Sequence, residues 1–152
     1  MSVALGSARR TGRGAAAASW LLRLVGAGLL VAIAWIHLYL YRNGYSDDPY
    51  GPPFLVQIVL GFGGALLVLI APARLLPVAA LLGTLFSLGS LLALLQATTG
   101  LFGLDPGLFG IFESKKATLW EETFWVEIAS TGVLALLTVL AVVRRRGRRS
   151  AG

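Results

Sequence analysis

Phe54-Leu-Val-Gln-Ile-Val-Leu-Gly-Phe-Gly-Gly-Ala-Leu-Leu-Val-Leu-Ile-Ala71 carries no charge and is bounded by Pro52 and Pro53 on one side and Pro72 on the other. A hydrocarbon core of about 30 Å needs about 20 helical residues. Proline is tolerated at a helix start and discourages continuation past an end. The stretch therefore reads as a short, sharply limited transmembrane helix. Three further apolar runs of spanning length flank it, at Trp20–Tyr41, Val78–Ala97 and Phe124–Val143. The segment Pro72-Ala-Arg-Leu-Leu-Pro77 between the second and third leaves room only for a tight antiparallel hairpin. The expected fold is all-α: a polytopic four-transmembrane-helix antiparallel bundle.

Composition agrees with this class. Of 152 residues, 57% are hydrophobic and only 13% charged, with a mean hydropathy of +0.79; soluble domains are closer to 45–50% apolar. The absence of cysteine excludes disulfides, thiolate metal sites and dithiol chemistry in this chain. Eleven of the thirteen basic residues are Arg, which with abundant Ala, Gly and Leu points to a GC-rich bacterial genome and the bacterial plasma membrane.

Charge sets the expected orientation. Arg9, Arg10, Arg13, Arg23, Arg74, Arg144, Arg145, Arg146, Arg148 and Arg149 fall at one end of the four spans, with no acidic residue among them. The other end holds Arg42, Lys115 and Lys116 against Asp47, Asp48, Asp105, Glu113, Glu121, Glu122 and Glu127. Basic residues near span ends are retained in the cytoplasm, so both termini are expected inside. Residues 1–19, rich in Ala, Gly, Ser and Arg, read as a disordered tail, and 144–152 as a second basic tail. Ala32-Ile33-Ala34 is a possible signal-peptidase site, but the apolar run continues to Tyr41, against cleavage. Arg144, Arg145, Arg146, Arg148 and Arg149 directly follow a span and read as an anchor for anionic lipid at the inner face, not as a nucleic-acid site.

Polar residues inside the spans are the functional candidates, because ionisable groups there are costly and usually face the bundle interior. His37, Gln57 and Glu127 each lie about one turn inside the outer ends of helices one, two and four, and Gln96 closes helix three at a similar depth. Tyr41 follows His37 by four residues and shares its face. This layer has three readings: an interhelical clamp in which His37 pairs with Glu127 and Gln57 closes the network; a small-molecule, proton or quinone-headgroup site; or a metal site, for which one His without repeated ligand spacing argues poorly. No metal and no resident cofactor is expected, quinone being the one cofactor considered.

The connections add detail. The first outer loop, 42–53, is dense in turn formers. The second, 98–123, contains Gly100-Leu-Phe-Gly-Leu104 and Gly107-Leu-Phe-Gly-Ile111, too apolar to float in water and suited to an interfacial lid. Thr118-Leu-Trp-Glu121 has the pattern of a capping box opening helix four. Gly28/Ala32, Gly61/Ala65 and Gly83/Ser87 are small-residue pairs for close helix packing.

Leu21-Leu-Arg-Leu-Val-Gly-Ala-Gly-Leu-Leu30, His37 near the end of helix one, Gln57 opening a Gly-rich helix two, and Arg74 between helices two and three resemble the DoxX-like four-helix membrane proteins. The resemblance covers Leu21 to Ala97 and implies a membrane partner of quinone and sulfur redox systems. Many DoxX-like proteins have Glu where this chain has Gln57. The chain also resembles small four-span membrane proteins common in actinobacteria, which implies no particular activity. Together the residues point first to an accessory or scaffold subunit with another membrane protein or a second copy as partner. The alternative is a redox-linked or ligand-binding membrane protein, with a transporter a weaker third. No motif fixes a reaction, and enzymatic activity is not expected.

The absence of cysteine makes topology testable by single-cysteine labelling. Ser46→Cys is expected to react with an impermeant maleimide on intact cells and Ser7→Cys only after permeabilisation. Labelling of Ser7→Cys in intact cells contradicts the assigned orientation.

Overall fold

The computed structural model describes residues 2–47, 49–101, 104–107 and 110–149. Asp48 and the Phe102-Gly103 and Leu108-Phe109 parts of the loop repeat lie outside the described residues, as do the side chains of Arg9, Arg10, Arg13, Arg148 and Arg149. Four helices, α1 (Ser2–Arg42), α2 (Gly51–Ile70), α3 (Leu76–Thr99) and α4 (Trp120–Arg149), account for the regular structure, with no strand among the described residues. Each contains a stretch long and apolar enough to cross a membrane, at Ala16–Arg42, Gly51–Ile70, Leu76–Thr99 and Trp120–Gly147. The chain is an integral, multi-pass membrane protein.

Helix ends follow local chemistry. Proline at the first turn opens both α2 and α3, where the missing N–H is no loss. Two expectations fail at the other boundaries. The helix of α1 runs through the segment read as a disordered tail, since Ala15-Ala-Ala-Ala18 is the best of helix formers and Arg is close behind. Likewise α4 continues through Arg144–Arg149. The capping box at Thr118 is not made: α4 begins at Trp120, after Leu119 turns into the left-handed region at φ 61°, and Thr118 donates no hydrogen bond to it.

Each helix packs on the two that neighbour it around a ring, α1 on α2 and α4, and α3 on α2 and α4, the α2–α3 contact being the sparsest. The α3–α4 pairing is antiparallel, with Ser87 opposite Ser130 and Ser90 opposite Glu127. Leu30, Ile33, Val68, Leu134 and Leu137 fill the interior, with small Ala27, Ala65, Ala80 and Ala141 between them. In lipid there is no hydrophobic gain from bringing apolar helices together, so close packing and interhelical hydrogen bonds must hold them. Gly61 supplies the closest approach: a Cβ there would lie 2.8 Å from Ala34 Cβ and 3.0 Å from the Leu30 carbonyl oxygen. Gly83 and Ser87 likewise face α4. Gly28 does not take part: it is exposed with nothing within 4 Å, and Gly26, packed on Leu134, makes the contact instead.

At the end of the bundle where α2 stops and α3 starts, Arg23 is buried and turned onto the α2 terminus. It donates from Nη1 to the Leu69 carbonyl at 3.2 Å and from Nη2 to the Ala71 carbonyl at 2.8 Å. These are orphan carbonyls of the last turn, which otherwise need water or a cap. We call this the basic end and the opposite one the acidic end.

Gly61→Ala is expected to lower stability in detergent by about 1 to 3 kcal/mol through overpacking against α1. Gly63→Ala, with open space around the glycine, should be neutral or slightly stabilising. Equal behaviour of the two variants in thermal unfolding would contradict the α1–α2 contact.

Candidate functional site

The acidic end contains a cavity of about 110 Å³ to which all four helices and the α3–α4 loop contribute. Its size is somewhat below the roughly 150 Å³ of an apolar cavity that admits one benzene. His37 reaches it from α1, Phe54 and Gln57 from α2, Ser90 from α3 and Glu127 from α4. Three of the five residues singled out from the sequence therefore meet at one place.

Glu127 is the most unusual of them. Its residue has no exposed surface. Its Oε1 accepts a hydrogen bond from Ser90 Oγ, while Oε2 has no hydrogen-bond partner. The second unsatisfied buried atom among the described residues is Gln57 Oε1, on the opposite side of the ring. A buried polar atom left without a partner costs about 1 to 3 kcal/mol, and native structures contain few. Both residues line one cavity.

His37 does not pair with Glu127, so the interhelical clamp expected between them is absent. Its Nδ1 shares a hydrogen bond with the carbonyl of Ile33 in its own helix, 2.8 Å away, and its ring meets the edge of Phe54 at 5.1 Å. The imidazole is thereby fixed by one turn of α1 and one aromatic ring of α2. What joins α3 to α4 is a ladder of two rungs, Ser87 with Ser130 at 2.7 Å and Ser90 with Glu127. Its signature was present in the sequence as Ser87-x-x-Ser90 and Glu127-x-x-Ser130, two equally spaced pairs that match when the helices run in opposite directions.

Gln96 and Tyr41 fall outside the cavity lining. Gln96 has a different task, holding the loop to the end of α3: its Nε2 donates to the Asp105 carbonyl at 2.7 Å and its Oε1 accepts from the Leu101 N–H at 2.7 Å. Tyr41 is half-buried on α1.

The later half of the α3–α4 loop closes over the cavity, contributing Ile111, Glu113 and Leu119 to the lining. Three ties hold it. Tyr50 donates its hydroxyl to the Phe112 carbonyl at 2.8 Å, the Glu113 N–H reaches the Ala97 carbonyl at 3.0 Å, and Trp120 Nε1 donates to Thr98 Oγ1 at 3.1 Å. Gly107, at φ 91°, gives the loop its turn and lies against the Phe112 ring, where any Cβ would collide. The lid expected from the apolar repeat lies partly outside the described residues, and the loop residues that line the cavity fall within 111–119, where Leu119 at positive φ stores strain of about 1 to 3 kcal/mol next to α4.

Tyr45, between α1 and α2, stacks on Phe54 at 5.1 Å and meets the Tyr50 ring edge-on at 5.4 Å. Burial, with the Glu113 carboxylate beside it, pushes its hydroxyl up to about 12. An aromatic chain therefore runs from His37 through Phe54 and Tyr45 to Tyr50, joining the first loop to the cavity wall.

Among the described residues no three His, Asp or Glu side chains gather as metal ligands. No protein-family model, no curated protein and no solved structure matches this chain.

Proposed function

We propose that this chain is a ligand-binding membrane protein whose acidic-end cavity takes a compact headgroup carrying a hydroxyl or N–H. The carrying observation is the pair of buried acceptors without partners, Glu127 Oε2 and Gln57 Oε1, on residues that line one cavity from different helices. Ligand donors, one to each acceptor, would recover the desolvation cost of both. The surrounding Phe54, Leu94 and Leu119 supply apolar walls, the usual complement to a few placed polar groups in a small-molecule site.

A phenolic or hydroquinone headgroup fits these requirements. Its hydroxyls meet the acceptors and an attached apolar tail would remain in lipid, while the ring, slightly larger than the cavity, requires the loop over it to give way. Quinone association is also what the DoxX-like resemblance implies. The protein would sit in a bacterial plasma membrane with both termini in the cytoplasm, a placement supported by the ten arginines gathered at the basic end. The cavity would then face outwards under its lid.

The scaffold reading keeps a structural polar contact, though through Ser90–Glu127 and Ser87–Ser130 and not through the His37–Glu127 pair first expected.

A water-soluble methylated hydroquinone, titrated into the detergent-solubilised protein, should raise its unfolding temperature saturably. Glu127→Gln, which keeps shape but changes what the position accepts, should weaken that response by about tenfold or more, the worth of one hydrogen bond to a buried polar group. Gln57→Leu should act in the same direction. Absence of a saturable response in the parent protein, or an undiminished one in both variants, would overturn the proposal.

A further inference from the structure

A second and larger recess, of about 740 Å³, lies at the basic end between α1, the α2–α3 hairpin and the last turns of α4. Its chemistry is divided. Leu69, Ile70, Leu76 and Ala141 form an apolar wall on the side of the membrane core, while Arg74, Arg144, Arg145 and Ser19 stand on the rim. Arg23 shapes the recess from below: its guanidinium is engaged by the carbonyls of Leu69 and Ala71, and its Cζ lies 4.9 Å from the centre of the Trp20 ring. The cap therefore fixes both the end of α2 and the indole at the edge of the groove.

Arg74 and Arg145 have no acidic side chain near them in the sequence. Every Asp and Glu of the chain lies in 47–48 or 105–127, at or near the acidic end. Arg74 and Arg145 are exposed. A negative group brought from outside the chain is the natural complement, and the apolar wall beneath the rim calls for one that carries hydrocarbon. Basic pockets between helices at a membrane surface take phospholipid head groups for this reason.

We propose that this groove is a binding site for one anionic phospholipid, its phosphate among Arg74, Arg145 and Ser19 and an acyl chain along Leu69, Ile70 and Leu76. This is a defined site, distinct from the diffuse attraction of the basic α4 terminus for a negative membrane, and it is independent of the cavity at the acidic end. The juxtaposition that carries it is two exposed arginines, Arg74 and Arg145, in one recess with the apolar Leu69, Ile70 and Leu76, at the end of α2. Arginine suits the role because its planar fork binds phosphate oxygens in pairs.

The full-length protein in a neutral detergent provides the test. Short-chain phosphatidylglycerol, phosphatidylcholine with the same chains, and inorganic phosphate are titrated separately while thermal unfolding is followed. Phosphatidylglycerol alone is expected to raise the unfolding temperature saturably, and native mass spectrometry should find one tightly retained molecule. Arg74→Gln with Arg145→Gln should weaken the effect by roughly tenfold or more, since each basic residue at a membrane surface contributes substantially to anionic-lipid attraction. Lys115→Gln with Lys116→Gln removes the same charge at the acidic end, where neither residue lines the groove, and should leave the effect within about twofold. Equal weakening by the two pairs would show diffuse charge attraction and overturn the site. So would a full response to inorganic phosphate, which would make it a free-anion site, or the lack of any difference between the two lipids. Should the groove variant fail to fold, the parent protein still decides: no retained phosphatidylglycerol means no such site.

Discussion

A carboxyl group held between four apolar helices is the constraint around which the acidic half of this molecule is organised. Glu127 has no exposed surface, and an isolated charge in such surroundings is costly whatever scale is used. The hydroxyl of Ser90 answers one oxygen. That bond requires α3 and α4 to run antiparallel in one register, which in turn sets Ser87 against Ser130 and Gly83 against Leu134. The other oxygen is buried without a partner, on a residue that lines the cavity. A purely structural design would have closed the network or used an apolar side chain, because a half-satisfied buried network is less favourable than either alternative.

The two ends of the bundle solve opposite problems. At the acidic end the helices must part enough to leave a cavity, and the loop from α3 to α4, tied down by Gln96, Tyr50 and Trp120, covers what they leave open. At the basic end they close on one another, with Arg23 reaching across to satisfy the terminal carbonyls of α2. A positive charge at a helix C-terminus is favoured by the dipole as well. The same arginine shapes the lipid-facing groove, so helix termination and surface chemistry there share one side chain.

Much of this was legible in the residues. Proline boundaries and apolar length located α2 and the α2–α3 hairpin to within a few positions, because those signals are local. His37, Gln57 and Glu127 could be placed in one layer from helical rise alone. Which of them touch could not, since that depends on how each helix is rotated about its axis, and His37 is satisfied within its own helix. Gly28 and Gly26 show the same limit: spacing alone favours Gly28, while rotation of α1 gives the contact to Gly26. Thr118 and Glu121 had capping-box spacing, yet the positive φ of Leu119 turned the chain out of register for it. Arg23 was read only as a topology signal, because its acceptors lie 46 and 48 residues away.

Paired substitution at Ser90 and Glu127, followed by thermal unfolding in detergent, tests most directly whether the buried carboxyl is kept for a ligand or for the fold. Ser90→Ala alone should destabilise by about 1.5 to 3 kcal/mol, the worth of a hydrogen bond to an ionisable group whose partner stays buried. Ser90→Ala with Glu127→Leu removes both partners and should restore stability to the parental value or above it. A double variant as unstable as the single one, or less stable, would mean that the pair holds the bundle together and that the open carboxyl oxygen is not a ligand contact.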